Sequence, residues 1–269
     1  MKNTCFFILA AWLLVCCDSS EKKATAILDE AREAVVCRQF DKARSLVDSL
    51  RAEYPRELDV RRSALAFSDT IEMEEAKVML AEADSALTFK TLELDAMKAE
   101  FVLEKNEEYQ TVGYYMCPEQ VSGKMHRTAL RAEVNEEGQM LLISILHGVK
   151  LGHDHIRVTS SVGETLETPR CFSFLTHSVP DYEEEASYKF GEDNGVIACI
   201  AGDMGTPIVE YVNPDGKIFK AEVSLSDVAA IRKCHELATA FAETDSLRNL
   251  VDQMTMKVRF YEKKISLGR

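Results

Sequence analysis

Histidine is the residue type whose spacing here first suggests chemistry. His147, His153 and His155 fall close together, and His177 follows. In an extended strand His153 and His155 would point to one side, as a pair of metal ligands does. A third ligand, His177 or a carboxylate, would complete such a set. Against this, Gly148 and Gly152 mark the stretch as a loop, and the spacing matches no metal signature. Loop or structural histidines are therefore the expectation, with a metal-dependent enzyme as the alternative. Glu183-Glu184-Glu185 reads as a solvated charge run. Ser160, Ser161 and Ser173 have no base partner at a recognisable spacing. No Gly-x-Ser-x-Gly, phosphate-cradling glycine loop or His-Glu-x-x-His is present. Gly202-Asp203-Met204-Gly205 reads as a turn rather than a nucleotide loop. The expectation is no catalytic residue, no cofactor-binding residue, no cofactor and no metal ligand.

Composition narrows the class. The chain has 269 residues, 46% hydrophobic and 29% charged, with a formal net charge of −13. Those proportions belong to a folded protein with a real core. An acidic body repels phosphate backbones, so no nucleic-acid partner is expected. Of eight cysteines, Cys5, Cys16 and Cys17 lie near the N-terminus. Cys37, Cys117, Cys171, Cys199 and Cys234 are scattered, without a CxxC or metal spacing. At most two disulfides could join these five. Cys171 with Cys199 is one guess, and buried small hydrophobes are the default reading.

Met1-Lys2-Asn3-Thr4, an apolar run from Cys5 to Cys17, and the polar Asp18-Ser19-Ser20 read as an export signal. The run is shorter than the roughly 20 residues that span a bilayer. Leu14-Val15-Cys16-Cys17 resembles the lipobox of bacterial lipoproteins, in which a Leu stands three residues before the lipidated Cys. The resemblance implies a signal peptide over 1–16, lipid attachment at Cys17, a linker over 17–23, and membrane attachment in the cell envelope, periplasmic or surface-exposed. Plain secretion and an uncleaved helix are the alternatives.

Helical periodicity begins after the linker. Ala24, Ile27, Leu28, Ala31, Ala34 and Val35 share one face. After a break at Cys37-Arg38-Gln39, Phe40, Ala43, Val47 and Leu50 line the next, and Tyr54-Pro55 stops it. Ile27, Ala31, Ala34, Phe40, Ala43, Val47, Leu50 and Pro55 resemble one tetratricopeptide repeat, which implies a helical base over 24–69. Repeat arrays normally need about three copies to stand alone. A base packed on the rest of the chain is therefore preferred to a peptide-binding groove.

The element expected to organise the chain is a long helix from Thr70 to Tyr109. Met73, Ala76, Leu80, Ala83, Leu87, Leu94, Met97 and Phe101 form a coiled-coil seam, interrupted only by Lys90. A helix of similar length, from Ser226 to Ile265, carries Ile231, Cys234, Ala238 and Phe241, then Leu247, Val251, Met254, Val258, Tyr261 and Ile265. Its phase slips between Phe241 and Leu247. The two segments, 70–110 and 225–265, are expected to pair antiparallel as a stalk. Glu72, Glu74 and Glu75 would then lie beside Lys257, Arg259, Lys263 and Lys264. The methionines read as core filler.

Between the helices, over 111–224, seven or eight short apolar runs end in Gly-bearing turns at Glu137-Gly138, Asn194-Gly195 and Asp215-Gly216. That pattern predicts an antiparallel, sandwich-like or half-barrel β domain, with Val196–Ile200 as a strand. The fold class is α+β: a tetratricopeptide-like base, a coiled-coil stalk and an inserted β domain. The functional expectation is a lipid-anchored envelope protein of non-catalytic binding or scaffolding type. It would have the membrane and an envelope protein as partners, with homo-oligomerisation open. The alternatives are a tetratricopeptide-like peptide-binding adaptor and a metal-dependent envelope enzyme using the histidines.

Overall fold

The computed structural model describes residues 4–121, 127–178 and 181–268, and for residues 4–19 it describes the backbone alone. The protein is mixed α+β, with five α-helices and two antiparallel sheets among the described residues. Two compact units emerge. One comprises Met1–Leu87 with Leu247–Arg269, and the other Thr88–Ser246.

The first unit contains α1 (Thr4–Val36), α2 (Phe40–Glu53), the first part of α3 (Leu58–Lys98) and the last part of α5 (Leu225–Ser266). The break expected at Cys37-Arg38-Gln39 is there. Arg38 takes a left-handed φ of 58°, and the Arg38 and Gln39 amides donate to Val35 and Ala34 carbonyls. Such a residue ends a helix and turns the chain. Ala24, Leu28, Ala31 and Ala34 of α1 meet Ala43, Val47 and Leu50 of α2, and Val60, Ala64 and Ile71 of α3 complete this core. Small residues dominate it, so the helix backbones approach closely.

α3 differs from the expected helix at both ends. It starts at Leu58 and runs without a break past residue 70, and it stops at Lys98 rather than Tyr109. The last turn tightens, with Glu100 and Phe101 amides donating to carbonyls three residues back. The apolar run then continues as β1 (Val102–Glu104), paired with β2 (Tyr114–Met116). Phe101-Val102-Leu103 fits a strand at least as well as a helix, because a short apolar run carries no period of its own.

The seam positions of α3 from Met73 to Met97 are buried or half-buried, whereas Met79, Phe89 and Leu92 lie off the seam and are exposed. On α5 the skipped phase is filled by Thr244, 1% exposed, whose hydroxyl donates to the Ala240 carbonyl at 2.8 Å. In the first unit the two helices run antiparallel: Lys264 pairs with Asp69 at 2.6 Å and Lys257 with Glu72 at 2.8 Å. Arg44 of α2 reaches the same acidic stretch, at Glu72 (3.0 Å) and at Glu75. In the second unit Lys90, the polar break in the seam, bonds Glu93 and Glu243, each at 2.9 Å, and Lys233 pairs with Glu100 at 3.3 Å.

Among the described residues the second unit holds ten short strands. One sheet runs β1-β2-β3-β4-β8-β7, with β3 (Ala129–Asn135), β4 (Met140–His147), β7 (Ser173–His177) and β8 (Glu183–Lys189). The other runs β10-β9-β5-β6, with β5 (His155–Thr159), β6 (Thr165–Glu167), β9 (Ile208–Val212) and β10 (Ile218–Glu222). Both sheets and the first half of α5 contribute to one apolar core, which includes Leu130, Leu142, Ile156, Tyr211, Ile231 and Leu237. The Asn135–Gly138 turn fits against α5: Gly138 has φ 80°, and a Cβ there would lie 2.5 Å from the Phe241 Cβ.

The expected strand Val196–Ile200 is instead α4 (Val196–Gly202). The turn before it is where the sequence places it, but Asp193 turns the chain into a helix. Its carboxylate accepts the Ile197 amide at 2.6 Å. Val196, Ile197, Ile200 and Ala201 then form a helical, not alternating, buried set. Ser224 caps α5 by accepting the Asp227 amide at 3.1 Å.

The Glu72 carboxyl is held below its ordinary value by Lys257 and then by Arg44, against the cost of partial burial. Its contribution is therefore present above about pH 4.5 and lost as pH falls through the lowered value. Glu72→Lys should lower stability to urea by about 1 kcal/mol with an unchanged slope, and adding Lys257→Glu should recover part of the loss. No recovery in the double variant would contradict the antiparallel pairing.

Candidate functional site

The sheet's period of two sorts β4 and β8 into core-facing and outward residues. On β4, Leu142, Ser144 and Leu146 share the core face. On β8, Glu184, Ala186 and Tyr188 do. β4 pairs with β8 so that Ser144 lies opposite Ala186 and Leu146 opposite Glu184. A serine and a carboxylate thus enter an apolar layer, where an unsatisfied polar group is costly.

The β4–β5 connection satisfies them. Gly148 and Gly152 adopt left-handed φ values of 74° and 69°, which fold the loop back over the sheet. Glu184 then does for the loop what a neighbouring strand would do. Its Oε1 accepts the amides of Leu151 and Gly152, both at 2.8 Å, and the Tyr182 hydroxyl at 3.0 Å. Its Oε2 accepts the amides of Gly152 (2.9 Å) and His153 (3.2 Å), and the His153 Nδ1 at 3.0 Å. On the far side of the imidazole, Nε2 lies 2.8 Å from Ser144 Oγ. Tyr211 and Phe174 meet the ring edge-on, at 5.2 and 5.8 Å.

Proton positions follow from the partners. An ionised Glu184 only accepts, so Nδ1 carries the proton, and Nε2 accepts the Ser144 hydroxyl. Tyr188 and the Ala186 carbonyl lie at 3.4 Å from Ser144 Oγ. Burial pushes the His153 imidazole below its ordinary value, although Glu184 pulls the other way. Burial also opposes charge on Glu184, but His153 and the loop amides outweigh it and hold the carboxyl below the ordinary range. Neutral histidine beside an anionic carboxylate is the resting state at pH 7.

Serine, histidine and glutamate in this order are the nucleophile, base and orienting group of acyl-transfer enzymes. The geometry is that of a relay, set inside an enclosed apolar layer. Ser144, His153 and Glu184 are each 0% exposed. The three side chains are enclosed, and the hydrogen bonds among them and the loop amides join the loop to the sheet.

The other histidines stand apart. His147 lies 3.7 Å from Asp181, and His177 lies 3.9 Å from Glu185. His155 bonds Asp154 (2.6 Å) and faces Glu167 (3.3 Å). The three do not converge, and His153 precedes β5 rather than sharing a strand face with His155. Among the described residues no group of three or more His, Cys, Asp or Glu is placed to hold a metal ion. Glu184 is the main correction to the sequence reading: Glu183 and Glu185 are half-buried, and Glu184 is enclosed. The alternation Glu184, Ala186, Tyr188 carries the signal, masked by the flanking glutamates. The five thiols from Cys37 onward are free, Cys171 and Cys199 included. The Cys17 side chain lies outside the described residues. Among the described residues no helix is long and apolar enough to cross a membrane. No protein-family model matches the chain, and no curated protein or solved structure does so either.

His153→Ala strands a buried carboxylate and should cost about 3–5 kcal/mol, whereas Ser144→Ala should cost about 1 kcal/mol, both by urea unfolding. The depressed His153 value means the unfolded chain binds more protons below about pH 6.5, so stability should fall as pH drops from there. His153→Gln should flatten that part of the profile.

Sealing also predicts that a fluorophosphonate probe leaves Ser144 unlabelled in the native chain at neutral pH. Stoichiometric labelling there would make the relay a working one.

Proposed function

We propose that this chain is a lipid-anchored cell-envelope protein of non-catalytic binding or scaffolding type. The observation that carries the reading is the N-terminal sequence: a lysine, an apolar run, and Leu14-Val15-Cys16-Cys17 before a polar exit. Lipid on Cys17 would give stable attachment if several chains are added, since each buried CH₂ contributes about 0.8 kcal/mol. In this reading residues 24–69 are a tetratricopeptide-like base. The long helices α3 and α5 pair as a coiled coil, and the strands between them form a sandwich-like domain that meets a protein partner.

Support for the coiled coil comes from the buried seam and the antiparallel ion pairs. Support for a non-catalytic role comes from the relay at Ser144, His153 and Glu184, which is spent on holding a loop. The α1–α2 core, in which Ala31, Ala43, Val47 and Leu50 meet, favours a second reading, a peptide-binding adaptor. Among the described residues one such helical pair precedes α3, and repeat arrays normally need about three copies, so the base reading is preferred.

Expression of the full chain in a bacterial host fed an alkyne-tagged fatty acid tests the anchor. The wild type should carry the label and sediment with membranes, and Cys17→Ser should lose both properties. An unlabelled wild type, or a labelled Cys17→Ser chain, would overturn the proposal.

A further inference from the structure

Two buried thiols meet where the six-stranded sheet touches α5. Cys117 follows β2 directly and precedes the short 3₁₀ turn Pro118–Gln120. Cys234 lies in the first half of α5. Cys117 Sγ is 3.7 Å from the Ala230 carbonyl oxygen, one helical turn before Cys234. Cys234 Sγ is 3.5 Å from the Ala132 carbonyl oxygen on β3. Each sulfur thus lies against backbone that neighbours the other cysteine, since Ala132 belongs to β3, the strand paired with β2, from which Cys117 follows directly. Both side chains are enclosed, at 1% and 0% exposed, within the same apolar core. The remaining described thiols differ: Cys37 is exposed, and Cys171 and Cys199 are partly buried.

We propose that Cys117 and Cys234 are a redox pair that closes to a disulfide when the chain meets a thiol–disulfide oxidant. Their placement supplies what a disulfide needs, two sulfurs held together by the fold around them. Chemistry assigns the roles. The Cys234 thiol beside it favours ionisation of Cys117, whereas Cys117 first and burial second hold Cys234 protonated. Cys117, on the segment that follows the short strand β2 rather than inside α5, is the thiol that an opening of the sheet edge frees to attack.

The balance is that of thiol–disulfide exchange. Cys117 attacks one sulfur of the oxidant's disulfide, breaks its S–S bond and expels one thiolate, leaving a mixed disulfide. Cys234 loses its proton, attacks the Cys117 sulfur and expels the second thiolate. Two protein thiols become one S–S bond, and the oxidant's disulfide becomes two thiols. Access comes through local opening: β1 and β2 are three-residue strands at the sheet edge, and short edge elements open most easily. The closed loop would enclose β3 to β10, and a loop of that length strongly restricts the unfolded chain.

The test uses the purified full chain in a glutathione redox buffer, followed by unfolding, alkylation and peptide mapping. Export is not involved, so the result is independent of the lipid anchor. A single linked peptide joining Cys117 to Cys234 in monomeric protein is expected, together with a higher unfolding temperature that dithiothreitol reverses. Cys117→Ser and Cys234→Ser should each abolish the link and the temperature shift. The proposal is overturned if both thiols remain alkylatable, if the links run through Cys37, Cys171 or Cys199, or if Cys117 stops at a glutathione adduct.

Discussion

A carboxylate in an apolar interior must be surrounded by donors, and that requirement at Glu184 shapes the β unit. Glu184 stands on the core face of β8, and its oxygens gather the amides of Leu151, Gly152 and His153, the Tyr182 hydroxyl and the His153 ring. One side chain thus fixes the loop between the two sheets, because β4 belongs to one sheet and β5 to the other. Removing any donor would leave charge without compensation in a medium where that is costly. The left-handed glycines, the orientation of the imidazole and the position of Ser144 all follow from serving that carboxylate.

The same arrangement shows why residue identity alone does not define chemistry. A serine, a histidine and a glutamate in relay order form a reactive set only where a substrate can reach them and charge can develop beside oriented donors. Here the donors are already used by the ground-state carboxylate, and aromatic rings close the edges of the imidazole. The network joins a loop to a sheet. Its counterpart in the helical unit is Arg44 with Glu72 and Lys257, partly open to solvent, where each pair contributes far less.

Much of the helical architecture was legible in the sequence. Periodicity gave the faces of α1 and α2, and the break at Arg38 matched the stop signals around it. The return helix was placed within a residue at either end, as α5 (Leu225–Ser266). Its phase slip had a physical content that spacing could not supply, since Thr244 can lie on a buried face by bonding its own helix. The errors cluster where apolar runs are short. Val102-Leu103-Glu104 lay within the expected helix but forms the edge strand β1. Val196–Ile200 has no period long enough to separate helix from strand, and the Asp193 carboxylate that accepts the Ile197 amide at the start of α4 is what spacing alone did not show. Glu184, the residue that matters most in the candidate site, was hidden between two glutamates. Its burial depends on loop donors 31 to 33 residues away in sequence, which no local pattern contains.

The most direct measurement is native-state hydrogen exchange at the amides of Leu151, Gly152 and His153. A loop bound by an enclosed carboxylate predicts slow exchange at all three, approaching the rate set by global unfolding, unlike an ordinary glycine-bearing connection. Rapid exchange at Gly152 and His153, with β4 and β8 still protected, would mean that the loop opens on its own. The site would then be a gated relay, and its role as a structural joint would be lost.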